Sequence, residues 1–306
     1  MPNEFLGELK SAVIENNTIN NDLYSEFDVK RGLRNQDGSG VLAGLSKISS
    51  VLGSEKSNGT LTPIEGKLKY RGIPIQSLAD EPVTRFRRFE KAIYLLLVGQ
   101  QAGADALDRF AQLVASKRQL SNQIVDHTIK AIPSKNVMNK LQTVVSALYT
   151  EDENPENIDP FENFVKSINI ISKLPTIVAY AYLSAYKTNA TYVLPPMDMS
   201  TSEAFLYMLR EGRESSDLEK EILDLSLLLH AEHGGGNNST FTTYVVTSSG
   251  TDVYAAITSA IGSLKGPLHG AANKKVMDMM SDIKAHVANW DDVSELREYL
   301  GKIIRK

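Results

Sequence analysis

The chain has 306 residues, a formal net charge of -4, five His and no Cys. A single hydrophobic core stops growing near about 250–300 residues, so this length predicts one large domain, or one plus part of a second. Mixed charge gives no electrostatic reason to expect nucleic acid or an anionic membrane as partner, and the missing Cys excludes disulfides, thiolate metal sites, Fe–S clusters and cysteine nucleophiles. Chemistry must therefore come from His, carboxylates, hydroxyls and backbone. At 42% hydrophobic and 23% charged, the composition is that of a folded protein and too apolar for global disorder.

The start, MPNEFLGELK, lacks the basic and apolar regions of a signal peptide. The longest apolar runs, Ala92–Val98 and Ile177–Leu183, are far short of the ~20 residues a membrane-spanning helix needs. A cytoplasmic protein with no membrane partner is expected.

The first forty residues are polar and uneven, with NNTINND ending a short helical pattern. From Gly40 the character changes. Val41–Val51 and Gly66–Ile75 are short runs with alternating and β-branched residues, separated by the Gly/Ser/Asn stretch SEKSNGT. They predict a small two-stranded ribbon, which must lie on a larger body because a lone hairpin is marginal.

Nearly everything after Glu81 reads as helix. Phe89–Gly99 is apolar all round, as in a buried helix, with Gly99 suited to the C-terminal cap. EDENPENIDP is an acidic loop. Phe161–Lys187 is apolar at helical spacing but contains Pro175, which predicts two helices meeting at the proline. No strand–helix alternation supports a Rossmann or TIM-barrel architecture. The fold class is mainly α.

Two of the five histidines, His127 and His286, sit on polar helical patterns and read as solvated or structural. His230 and His233 follow a helix opened by a Ser216/Glu219 capping box. Its apolar stripe Leu218, Ile222, Leu225, Leu229 continues by one turn to His233, which is expected at the buried edge of that face. The run GGGNNST follows at once. Such a histidine either meets a ligand or is a hydrogen-bonded core residue. A metal site on His230 and His233 lacks a third ligand and matches neither HExxH nor HxxEH. His233 and the three glycines after it resemble an esterase oxyanion loop, but no GxSxG elbow occurs.

His269 follows a helix that Asp252 is placed to cap and that Gly266-Pro267 stops. A new helical run, AANKKVMDMM, begins just after it. The positive end of the helix dipole there disfavours a cationic ring, so a neutral imidazole able to donate a hydrogen bond to a carbonyl is expected. Such a ring suits stabilisation of an enol or enolate; the alternative is a histidine that merely caps a helix.

The stretch from Leu227 to Met280 combines His-x-x-His, an Asn-x-Ser loop end, Ser-Ser-Gly-x-Asp and Gly-Pro-x-His-Gly-x-Ala-Asn. In this combination and spacing it resembles the citrate synthase family. SKISSVLG, GKLKYRGIPIQSLA, FEKAIYLLLVGQ and SEAFLYMLREG also resemble family segments, so the resemblance runs from about Asp28 to the end.

The resemblance implies a multi-helical large domain with a β-ribbon, a small domain and a homodimer. In this chain it implies an extension over 1–40, a large domain over 41–268 that lacks its final segment, and an incomplete small domain over 269–306. It implies metal-free condensation of acetyl-CoA with oxaloacetate, with no bound cofactor and acetyl-CoA as co-substrate. His269 would hydrogen-bond the thioester carbonyl while an aspartate takes the methyl proton. His233 would contact oxaloacetate, and Asn237 would belong to the same substrate site. A sister activity, 2-methylcitrate synthesis from propionyl-CoA, shares the motifs, and a non-catalytic helical dimerisation or ligand-binding module uses the same body. No GxGHxV or Asp-Pro-Arg motif follows GPLHG, and Asp278, Asp282, Asp291 and Asp292 do not match the family's catalytic aspartate. The expectation is a chain truncated at its C-terminal end, without turnover on its own.

Overall fold

A computed structural model describes residues 20, 22–27, 46–57, 60–83, 85–270 and 272–304. The chain divides into two compact units, 1–43 and 44–306. In the first, helix α1 (Asp22–Glu26) begins where the side chain of Asn20 accepts the N–H of Asp22 at 3.0 Å. Asn20 of the Asn-rich run thus opens a helix; the residues before that run, where a helical pattern was expected, lie outside the described residues, as do 41–45 of the expected ribbon.

The second unit opens with β1 (Ser49–Ser57) paired antiparallel to β2 (Thr60–Tyr70), and β2 pairs with a short β3 (Ile73–Pro74). The ribbon reaches further into its connector than expected, leaves 46–48 of the first expected run outside β1, and gains a third short strand. SEKS, read as connector, belongs to β1, with an irregularity between Leu52 and Ser54 that resets the register. Both faces are largely exposed, so polar side chains do not interrupt a pairing made by backbone groups.

Helices follow: α2 (Ile75–Asp80), α3 (Arg88–Val98), α4 (Ala104–Ser116), a π-helical turn (Ile124–Lys130), α5 (Val137–Leu148), α6 (Pro160–Tyr186), α7 (Thr201–Leu209), α8 (Asp217–His230), α9 (Asn238–Thr247), α10 (Val253–Leu264), α11 (Ala272–His286) and α12 (Val293–Ile304). The mainly α fold is as expected. Many ends follow local chemistry. Ser200 and Ser216 open α7 and α8 with complete capping boxes, Asp252 caps α10, and Gly99 closes α3 at φ 90°. By contrast α3 has no capping side chain of its own: the buried Asp224 of α8 accepts the N–H groups of Arg88 and Phe89 at 2.9 and 3.1 Å.

The largest core cluster joins the π-helical turn, α5, α6, α7 and α10, with Ile129, Val144, Ile177, Ala204 and Met208 almost wholly buried. Full burial of each large member contributes about 1.5–3 kcal/mol. A second cluster seats the ribbon on the helices: Tyr70 packs with Leu78, Leu95 and Leu228.

α6 runs unbroken through Pro175, contrary to the two helices expected there. Proline removes one intrahelical donor and crowds the carbonyl four residues back. Here Ile171 and Pro175 face a cavity of about 590 Å³ between α3, α6, α7 and α8, so room exists on that side while the opposite face is held by the core. The C-terminal half of α6 buries Ile177, Ala179, Tyr180, Ala181 and Leu183 inside this chain. Among the described residues no helix is long and apolar enough to cross a membrane.

Candidate active site

α8 ends at His230, so His233 lies beyond it in an extended loop, and its side chain is exposed. Most of the stripe expected to carry it into the core faces outward: Leu218 and Ile222 are 68% and 56% exposed and Leu229 is exposed, Leu225 packs against the Tyr70 cluster, and Asp224 and Leu228 are the buried residues of α8. Burial is decided by which side meets Tyr70 and α3, and that side includes a carboxylate that an apolar pattern does not reveal. Because the helix stops first, His230 and His233 do not share a helical face. His230 uses Nδ1 on the Ser226 carbonyl at 2.8 Å. Among the described residues no group of three or more His, Asp or Glu side chains is placed to hold a metal ion.

The loop after α8 is fixed from the ribbon. Tyr70, fully buried, lies with its hydroxyl 2.9 Å from the carbonyl oxygens of Leu228 and Glu232 and accepts the Glu232 N–H at 3.0 Å. Burial pushes the Tyr70 phenol above its usual 10, opposed by the hydrogen bond to Glu232. The Glu232 carboxylate turns back on its own chain. Its Oε1 accepts the N–H groups of His233 at 3.0 Å and Gly234 at 2.6 Å, and the Ser49 hydroxyl of β1 at 3.0 Å. Gly234 has φ 95°, a backbone conformation that favours glycine, and a Cβ there would crowd Val51 Cγ2 of β1 at 3.1 Å.

Asn237 caps α9. Its Oδ1 accepts the Thr240 N–H at 3.0 Å, and its Nδ2 donates to the Gly234 carbonyl and Thr240 Oγ1, each at 3.0 Å. The residue expected at the substrate therefore ties the glycine loop to the first turn of α9. That turn carries Ser239, whose hydroxyl is 2.8 Å from His269 Nε2 and 3.1 Å from the Ala260 carbonyl of α10.

His269 sits in the turn between α10 and α11, three residues before α11 begins. Its N–H closes the turn onto the Gly266 carbonyl at 3.0 Å. A Cβ on Gly270 would lie 2.0 Å from the Leu264 carbonyl oxygen, so the chain after His269 passes the end of α10 closer than any side chain allows. The expected residues are thus linked: His233 leads into Gly234, Gly234 is bonded to Asn237, and two residues on Ser239 meets the His269 ring. Ser239 was visible in the Asn-x-Ser motif without a role. Glu232 lies between the two histidines of His-x-x-His, and nothing local marks Tyr70 or Ser49, more than 150 positions upstream of it.

Ser239 has one hydroxyl proton and two acceptor-capable neighbours. If it donates to Nε2, a neutral His269 carries its proton on Nδ1; if it donates to Ala260, Nε2–H donates to Ser239. Nδ1 meets no protein partner among the described residues.

Comparison with known proteins adds the following. Residues 36–306 match the family model "Citrate synthase, C-terminal domain". The chain is 35% identical over 260 residues to a citrate synthase of Haloferax volcanii, covering 84% of this chain and 62% of that protein. It is 32% identical over 280 residues to a 2-methylcitrate synthase of Mycobacterium tuberculosis, covering 91% of this chain and 63% of that protein. The crystal structure of a citrate synthase from Pyrobaculum aerophilum matches with a TM-score of 0.69 at 28% identity, over 83% of this chain and 62% of that one. The chain thus spans about three-fifths of the length of these relatives.

Proposed function

The chain belongs to the citrate synthase family, and from that premise we propose that it contributes the oxaloacetate-binding and thioester-polarising part of a condensing site for acetyl-CoA and oxaloacetate. The observation that carries this is the 2.8 Å contact between Ser239 and His269. With the serine proton on Nε2, His269 presents Nδ1–H as a donor to the thioester carbonyl. As the methyl proton leaves, charge grows on that carbonyl oxygen, and a hydrogen bond already in place stabilises the enol more than the thioester. His233, exposed on a loop braced by Glu232 and Asn237, supplies a second donor for oxaloacetate. No metal or bound cofactor is required for these steps. Among the described residues the carboxylate bonded into this site is Glu232, and its Oε1 already accepts the His233 and Gly234 N–H groups and the Ser49 hydroxyl.

The remaining proposals follow the same premise: division into a large helical and a small domain, a cytoplasmic location, and a homodimer. Tyr182 and Tyr186 stay exposed on α6 and are candidates for the dimer surface. Sedimentation showing only monomer at all concentrations would count against the dimer.

The test is acetyl-CoA binding by titration calorimetry in the presence of oxaloacetate. Binding weakened at least about tenfold in His269→Ala, the value of one good hydrogen bond, supports the assignment. Undiminished binding in that variant removes His269 from the thioester site. Running propionyl-CoA in parallel decides the second reading, favoured by the 2-methylcitrate synthase relative: tighter binding of propionyl-CoA would replace the acetyl assignment. Release of free CoA by the 306 residues, followed with a thiol-reactive dye, would show that they hold their own base.

A further inference from the structure

We propose that Glu232 is a positioning residue for His233, acting through the β-ribbon; the functional part of this inference rests on His233 contacting oxaloacetate. One carboxylate oxygen, Glu232 Oε1, gathers three donors: the Ser49 hydroxyl of β1 and the consecutive N–H groups of His233 and Gly234. Two successive backbone donors on one acceptor fix the peptide planes on either side of His233. With those planes set, the ring has only a few staggered directions open to it. The third donor ties the arrangement to a different part of the chain, since Ser49 lies on a ribbon seated by the buried Tyr70.

The brace does what the loop cannot do alone. Between the end of α8 and the start of α9 lie three consecutive glycines, which lose more conformational freedom on ordering than any other residue. His233 is exposed and its ring is not held by packing. Its direction must therefore be set through its backbone, which Glu232, Tyr70 and Asn237 hold on either side of it. A charged acceptor makes stronger hydrogen bonds than a neutral one, and residues that hold a ligand-binding group in its working direction commonly control affinity without touching the ligand.

The experiment uses the 306-residue chain and two readouts. The first is the Hε1 resonance of His233, assigned by its disappearance in His233→Ala. The second is oxaloacetate affinity by calorimetry. Glu232→Ala is expected to shift and broaden the His233 resonance and to weaken oxaloacetate at least about tenfold, with the helical circular-dichroism signal retained. Glu232→Gln keeps an acceptor oxygen at the same reach and is expected to restore both to within about threefold of the starting chain. If Glu232→Ala leaves resonance and affinity unchanged, the inference is overturned. If the starting chain binds no oxaloacetate, the functional proposal fails, and the resonance alone decides the positioning role. Should Glu232→Ala fail to fold, Ser49→Ala removes one of the three donors; an unchanged His233 resonance there overturns the link to the ribbon.

Discussion

Ser239 Oγ and His269 Nε2 lie 2.8 Å apart, across from the Ala260 carbonyl at 3.1 Å, so one hydroxyl proton selects the tautomer of the ring. Ser239→Ala removes the selector. The 15N spectrum of His269 is expected to show Nδ1–H in the starting chain and a larger Nε2–H fraction in the variant, the form an unconstrained imidazole prefers. Acetyl-CoA affinity in the presence of oxaloacetate should fall about tenfold, as for loss of one hydrogen bond. An Nε2–H ring already present in the starting chain would contradict the proposed role.

Tyr70 is the hub between ribbon and helix α8. Tyr70→Phe keeps the ring and its packing but removes the acceptor of the Glu232 N–H and the one phenolic proton that the Leu228 and Glu232 carbonyls share, at a cost of about 1–3 kcal/mol. Urea unfolding measures it. The native phenol titrates above the unfolded value near 10 because burial disfavours its anion. Its contribution is therefore intact below pH 10 and lost as pH rises through the native value. The phenylalanine variant should lose that part of the alkaline destabilisation.

Asp224 is fully buried and caps α3 from α8. Burial pushes its carboxyl from the usual 3.8 up to about 6, against the lowering effect of the Arg88 and Phe89 N–H groups. The native state thus holds this proton more tightly than the unfolded chain. Stability from this group is greatest below pH 3.8 and falls as pH rises to about 6, by about 3 kcal/mol. Asp224→Asn should flatten the stability profile between pH 4 and 6. Buried Glu90, whose carboxyl is also pushed up by burial, leaves a residual slope. A variant profile parallel to that of the starting chain would contradict the assignment.

Lys166, 3% exposed, donates from Nζ to the carbonyls of Asn154 at 2.7 Å, Pro155 at 2.9 Å and Asn157 at 2.7 Å. It holds the acidic loop before α6 together with the Tyr254 hydroxyl on Asp152 and the Tyr149 hydroxyl on Glu156. Lys166→Met keeps the stem and orphans three acceptors, costing about 2–4 kcal/mol. Hydrogen exchange should show the loss as faster opening around residues 152–159, with α10 unaffected. Uniform destabilisation without local opening would argue against this anchoring.

What was legible in the sequence was local or motif-borne. Ser216 with Glu219, Asp252 and Gly99 announce helix ends because each acts within one turn of itself. His269 before α11 and His233 before a glycine loop follow from the motifs around them. The outward face of α8 was misread because Leu218, Ile222 and Leu229 form a regular stripe, while the buried side is chosen by Asp224 capping a helix more than 130 residues away. Pro175 was misread because a cavity that accommodates its ring has no sequence signature. The brace of Ser49, Tyr70 and Glu232 was hidden for the same reason: its bonds span 158 to 183 positions.

We propose that His233, held by Glu232 and the ribbon, faces oxaloacetate. Titration calorimetry of oxaloacetate into the 306-residue chain tests it most directly. One saturable site per chain is expected, weakened at least about tenfold by His233→Ala while thermal stability is unchanged. Binding of equal affinity in that variant, or no binding to the starting chain, would contradict it.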